Sequence, residues 1–221
     1  LIDLLKHQGV HPRVGAADVV PFVPLSGSTI QECIEVAHRA GRELWRRFGV
    51  PVYFYESAAR SESRRRLEKV RRRGFDGKPP DIGDTASHPT AGASIVGARD
   101  FLIASNVNLA TGDVAVAQRI ARKIRESSGR FPFVKAMGRP LASRGRAQVS
   151  TNLLNSAETD LNAVYDAIAA EAPVESCQLV GLMPRRALQM FPEFFHRAAN
   201  FDESRVIENR IAKIEASARH H

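Results

Sequence analysis

Between Ala98 and Met183 the hydrophobic pattern switches from a period of two to a helical period and back, twice over. No other feature restricts the fold as much. Runs at Ala98–Ala110, Phe131–Met137, Ala147–Leu154 and Ser176–Met183 read as strands. Gly112-Asp113 opens a helix with Val114, Ala117, Ile120, Ala121 and Ile124 on one face. Thr159–Ala172 gives a second helix, with Leu161, Val164, Tyr165 and Ile168 inward, and Gly138–Gly145 reads as the turn between the middle strands. Strand, helix, strand, strand, helix, strand is the order of a split βαβ, ferredoxin-like unit. Pro184 then starts a further helix, and Glu203–Ala216 reads as a terminal one.

The first half repeats part of that order. Leu1–Lys6 has the spacing of a helix end, with Gly9 as its stop, and Val14–Pro24 reads as a strand with Pro21 at its edge or at a bulge. A helix follows, capped by Ser28 with Gln31 three residues on, apolar at Ile30, Ile34, Ala37, Leu44 and Trp45, and stopped at Gly49. Val50–Tyr55 is a strand, and Gly74–Gly92, rich in Gly, Pro, Asp, Ser and Thr, is a long loop. The class is therefore α+β, with two ferredoxin-like α/β subdomains and mixed or antiparallel sheets, residues 1–97 and 98–221. The chain opens with neither a methionine nor a cap, so the N-terminal subdomain is expected to be incomplete.

Charge is concentrated in one place. The 221 residues carry a net +8, and Arg60–Arg73 alone, with eight basic and two acidic residues, accounts for +6 of it. Only Leu67 and Val70 are apolar there, so the arm reads as a short solvated helix; a surface that attracts nucleic acid or the carboxylate tail of a ligand is the rival reading. Ferredoxin-like sheets bind RNA through aromatic residues on exposed strands. The strands Ala104–Leu109 and Ala147–Leu154 have none, which disfavours nucleic acid. No run approaches the ~18 apolar residues of a membrane span. Cys33 and Cys177 lie among apolar neighbours and read as buried thiols of a reducing, cytoplasmic compartment.

Seven histidines are the natural place to look for proton transfer. His7 and His11 have the spacing of two zinc ligands on a helix, but Gly9 and Pro12 break a helix there and no third ligand completes the set, so no metal is expected. His38 and His196 read as surface residues. His11 sits between a helix end and an apolar strand, in GVHPRVGAADVV, where Pro12 restricts its backbone and Gly15 allows another group to come close. On these features alone it reads as an ordinary loop histidine satisfied by a hydrogen bond. Asn106 and Asn108 share one side of their strand, and Gln148, Ser150 and Asn152 share one side of theirs. A half-solvated sheet and the polar lining of a wet cavity both fit this pattern. Nucleotide loops of the P-loop and G-x-G-x-x-G types are absent, as is the G-x-S-x-G elbow.

The segments HPRVGAADVVPFVP (His11–Pro24), PVYFYESAAR (Pro51–Arg60), GARDFLIASNVNLAT (Gly97–Thr111), AQVSTNLL (Ala147–Leu154) and QLVGLMP (Gln178–Pro184) together resemble the formiminotransferase family. They run in the family's order and cover most of the chain. The family's opening strand–helix–strand portion has no counterpart, and Asp84 stands where the family commonly has proline. The resemblance implies two ferredoxin-like subdomains with a folate tunnel between them, in a cytoplasmic homodimer. It implies transfer of a formimino group from N-formiminoglutamate to tetrahydrofolate, a co-substrate, in histidine breakdown, without a metal. A formyl donor and an inactive folate-binding relative are the variants of that reading. It puts the catalytic acid–base on His11 and the folate loop on Gly83, Asp84, Thr85, Ala86, Ser87, His88, Pro89, Thr90, Ala91 and Gly92. Arg13, Asn106 and Asn152 are candidates to hold substrate carboxylates and pterin edges.

Overall fold

The computed structural model describes residues 2–6, 13–25, 27–72 and 79–218. They form two compact units, Leu1–Asp100 and Phe101–His221, each built on its own sheet. The α+β class and the presence of two sheets agree with the sequence reading.

In the first unit, β1 (Val19–Phe22), α1 (Ile30–Phe48) and β2 (Val52–Glu56) make a crossover, and β3 (Ser94–Ala98) inserts between the two strands. Both pairings are parallel, with Val19 opposite Ile95 and Val52 opposite Ser94. This half is thus wholly parallel, where mixed or antiparallel pairing was expected. A parallel sheet needs cover on both faces, and the chain supplies two covers. Cys33 and Ala37 of α1 pack on Val52, Phe54, Val96 and Ala98. The basic arm lies on the other side: its helix α2 (Leu67–Arg72) brings Leu67 and Val70 onto Tyr53, Tyr55 and Ile95. The two apolar positions of the arm are the ones that dock it.

Local chemistry sets the ends of these elements. Thr29, one residue later than the expected Ser28, caps α1 in a reciprocal box with Glu32: the Thr29 N–H donates to Glu32 Oε2 at 2.7 Å, and the Glu32 N–H donates to Thr29 Oγ1 at 3.2 Å. Gly49, at φ 62°, stops the helix as expected. Glu43 accepts from Arg46 and Arg47 in the last turns, and these guanidinium groups hold its carboxyl down at about 2. The expected strand Val14–Pro24 shortens to four residues, with Pro21 tolerated because β1 is an edge strand. Leu4–Lys6 is a single turn rather than a helix end, closed by the Lys6 N–H donating to Asp3 O at 3.1 Å.

The second unit runs β4 (Ile103–Leu109), α3 (Val114–Ile124), β5 (Val134–Leu141), β6 (Arg146–Leu153), α4 (Leu161–Ala169) and β7 (Val174–Val180). Its sheet order is β5-β6-β4-β7, antiparallel throughout, which is the ferredoxin-like arrangement. Helices α3 and α4 cover one face through Ala117, Ile120, Ile124, Leu161, Val164 and Ile168. Helices α5 (Arg185–Met190), α6 (Pro192–Arg197) and α7 (Ile207–Ala218) follow. The expected turn at Gly138–Gly145 is corrected: β5 continues through Gly138 and Pro140 to Leu141. Gly138 is a contact point, since a Cβ there would lie 2.2 Å from the Gln118 nitrogen of α3. Pro140 costs no ladder bond because β5 lies at the edge.

Candidate functional site

The backbone that follows the His-Pro-Arg motif is held from several sides. Asp18 turns its carboxylate back on the chain, so that Oδ1 accepts the Val14 N–H at 2.5 Å and the Gly15 N–H at 3.4 Å. Its other oxygen, Oδ2, accepts from Arg71 Nη2 of the basic arm. The Ala16 N–H donates to Ala91 O at 2.9 Å, and the Ala93 N–H donates to Val14 O at 3.1 Å. Gly15 and Gly92 face each other in this bridge. A Cβ on Gly15 would stand 1.7 Å from Ala93 O, so only glycine lets the two backbones meet. On the other side of residues 7–12, the Leu4 N–H donates to Thr90 O at 2.9 Å. The chain before the motif and the chain after it are therefore tied to the same stretch, Thr90–Ala93.

That stretch ends the loop that the resemblance assigns to folate. The loop is anchored first at Asp81 and Ile82, whose backbones bond to Val52. Asp81 Oδ2 accepts the Phe54 N–H at 2.8 Å and pairs with Arg64, with side-chain exposures of 7% and 15% that leave the pair largely shielded from water. Arg60 and Arg64 also donate to the carbonyls of Asp81 and Pro79. Gly83, at φ 97°, crosses the ring of Trp45, which a Cβ would approach to 2.7 Å. Asp84, Thr85, Ala86, Ser87, Pro89 and Thr90 are exposed; Ala91 is half-buried and Gly92 buried.

His88 organises the exit. Its backbone exchanges two bonds of 2.9 Å with Gly92. Its Nδ1 accepts the N–H groups of Thr90 at 3.3 Å and Ala91 at 3.1 Å. Two donors converging on Nδ1 assign the ring proton of the neutral imidazole to Nε2.

The second unit contributes a different surface. Asn106, Asn108, Gln148, Ser150, Asn152, Ser176 and Gln178 all lie on the sheet face opposite its core. Gln148 Nε2 donates to Asn108 Oδ1 at 2.8 Å, and Asn108 Nδ2 donates to Ser176 Oγ at 2.9 Å, a row of two amides and a hydroxyl running across three strands. Asn106 stands opposite Ser150 and Gln178, and Asn152 opposite Ala104 and Lys135, so the two candidates share a face but not a rung. Such a face offers uncharged donors and acceptors at its centre, with Lys135 and Arg139 of β5 on its edge.

His11 and His7 lie outside the described residues, as does 73–78. Arg13 is half-buried, directly before the Asp18-held backbone. His38 is no surface residue: Nε2 bonds to Ala58 O at 3.0 Å and the ring meets Phe54 edge-on at 4.5 Å. The arm is no freely solvated helix either, since Arg64 and Arg71 are committed to Asp81 and Asp18. Burial raises the Cys33 thiol and pushes the Cys177 thiol up to about 12, so neither is a thiolate near neutral pH. Among the described residues no group of three or more His, Cys, Asp or Glu side chains could hold a metal ion, and no helix is long and apolar enough to cross a membrane. Asp18 and Asp81 escaped the sequence reading. The signal was there in Asp18, a carboxylate wedged between Ala17 and Val19 at the start of an apolar strand, where a charge needs partners.

Comparison with known proteins bears on both halves. The family described as "Formiminotransferase domain, N-terminal subdomain" matches residues 1–99, and "Formiminotransferase domain" matches residues 104–218. The chain is 39% identical over 225 residues to the glutamate formimidoyltransferase of Streptococcus pyogenes serotype M1, covering 95% of this chain and 75% of that protein. It is 37% identical to the protein of the same name from Thermoplasma acidophilum, covering 96% and 75%. It is 42% identical to the formimidoyltransferase-cyclodeaminase of Gallus gallus, covering 88% of this chain and 40% of that longer protein.

Proposed function

The chain belongs to the formiminotransferase family, and from that membership we propose that it transfers the formimino group of N-formimino-L-glutamate to N5 of tetrahydrofolate. It is a transferase, and the reaction serves histidine degradation and one-carbon metabolism. The observation that carries this reading is the pair of family matches spanning both units, alongside relatives named for this activity over about three-quarters of their own length. The tie between the flanks of residues 7–12 and the end of the 83–92 loop supports putting the reaction there.

The chemistry needs little beyond positioning and one proton carrier. The carbon of the formimino group is an amidine carbon and already electrophilic. Tetrahydrofolate N5 attacks it, the N5–C bond forms, and N5 gives up its proton to a base. The tetrahedral intermediate then breaks its C–N bond to glutamate, whose nitrogen leaves with a proton returned by the same group. An imidazole with an ordinary pKa near ~6.5 serves both transfers. We assign that role to His11. The loop Gly83–Gly92 is offered to the pterin, with its exposed backbone and the Nε2–H of His88 as donors. Arg13, Asn106 and Asn152 are offered to the carboxylates of the donor. Holding two substrates together removes much of the entropic barrier that a bimolecular step faces in water. By the same resemblance we place the enzyme in the cytoplasm as a homodimer.

Trp45 makes this testable, because its ring lies under Gly83 and it is the only tryptophan of the chain. Titration with 5-formyl-tetrahydrofolate should change its fluorescence to a saturating end point, matched by a calorimetric stoichiometry of one per chain. No fluorescence change together with no heat of binding would remove folate from the account.

A further inference from the structure

The transfer chemistry leaves the Arg60–Arg73 arm without a task, yet the arm is where the first unit places its ionic contacts to both candidate segments. We propose that Arg71 is a positioning residue: acting through Asp18, it fixes the backbone of Val14 and Gly15 and so the Arg13 end of the segment that carries His11. The inference rests on the reading of that segment as catalytic.

Three observations carry it. Asp18 divides its carboxylate, one oxygen to the Val14 and Gly15 N–H groups and the other to Arg71. Gly15 has no side chain to steady its own backbone, so those bonds and the Gly92 bridge do that work. The scaffold that delivers Arg71 is itself anchored: Leu67 and Val70 of α2 are docked on the sheet, and Asp18 O accepts the Ile95 N–H of β3 at 3.0 Å. Without Arg71 the carboxylate is free to rotate, and it ceases to hold two N–H groups at once. Arg64 makes the matching brace at the other segment, through Asp81 to the Phe54 N–H. A planar guanidinium on a short docked helix suits this task better than a lysine, whose charge lies at the end of a flexible stem.

The test uses the full chain with Arg71→Gln, Arg71→Lys and Asp18→Asn, and Arg66→Gln as a control in the exposed part of the arm. Glutamate release from formiminoglutamate should lose at least tenfold in kcat in Arg71→Gln while KM for tetrahydrofolate stays within twofold. Amide exchange at Val14 and Gly15 should accelerate at least tenfold in the same variant, with exchange in β4 and β6 unchanged. Arg71→Lys should recover part of kcat, Asp18→Asn should add nothing to Arg71→Gln, and Arg66→Gln should match the parent. An Arg71→Gln protein with parental kcat, or an Arg66→Gln protein equally impaired, overturns the proposal. Should the parent itself release no glutamate, the transferase reading fails on its own; the exchange experiment then decides, and unchanged exchange at Val14 and Gly15 sinks the brace.

Discussion

The two sheets solve the same problem with opposite means. In the first, β3 is buried along its whole length and β2 nearly so, because α1 covers one face and the basic arm covers the other. In the second, helices cover a single face and the other carries amides and hydroxyls, so burial alternates along β6 and along β4 as far as Val107. The first sheet therefore works as a rigid floor that displays its chemistry on loops and braces at its margins. The second displays chemistry on the strands themselves. In the proposed function, the doubly covered sheet acts through its loops and the singly covered sheet through its side chains.

If that contrast is right, the same kind of lesion should cost different amounts in the two places. Phe54 is fully buried between strands and helix, with its ring against His38 and a Gly41 that has no room for a Cβ. Phe54→Ala should cost about 3–5 kcal/mol, as large buried aromatics do. Denaturant unfolding followed by circular dichroism measures it, and a loss under 1 kcal/mol would show that the first sheet is not packed on both sides. The second sheet has a smaller weak point on its inner face. Ser105 and Thr151 are buried there and share a hydrogen bond of 2.7 Å across β4 and β6. Thr151 Oγ1 also donates to the Ser105 carbonyl at 3.2 Å, so Thr151→Val, which strands the Ser105 hydroxyl, should cost about 1–3 kcal/mol. Replacing both, as Ser105→Ala with Thr151→Val, should restore much of that loss. A double variant that is additively worse would mean the pair is not the unit that matters.

The same contrast explains what could be read from the sequence. The second unit was legible because its strands alternate: Asn106, Asn108, Gln148, Ser150 and Asn152 mark one face and Val107, Leu109, Val149 and Leu153 the other. Its largest departure is the turn expected at Gly138, where a glycine that looks like a breaker in sequence is a seat for α3. In the first unit, SIVGA carries no alternation, so β3 has no counterpart in the sequence reading. The order of strand, helix and strand was plain there, but the direction of pairing was not, because local pattern does not encode it. The arm's charge was obvious and its purpose hidden, since the pairing of Arg71 with Asp18 spans 53 positions of sequence. Of the site, the loop 83–92 comes from the resemblance and Arg13 is a separate candidate read beside it, while the ties from Leu4 and Ala16 to that loop are visible only in the fold.

The proposed transfer requires a proton carried at position 11 beside a bound folate. The most direct measurement compares the parent with His11→Ala for glutamate released from formiminoglutamate in the presence of tetrahydrofolate, with 5-formyl-tetrahydrofolate affinity measured on the same preparations. Loss of a general acid–base group typically lowers the rate by about 10²–10⁴-fold. The account predicts a fall in that range, with the affinity for 5-formyl-tetrahydrofolate within about threefold of the parent's by the same reasoning that His11 moves protons rather than holds the ligand. Glutamate release at the parental rate from His11→Ala would contradict it.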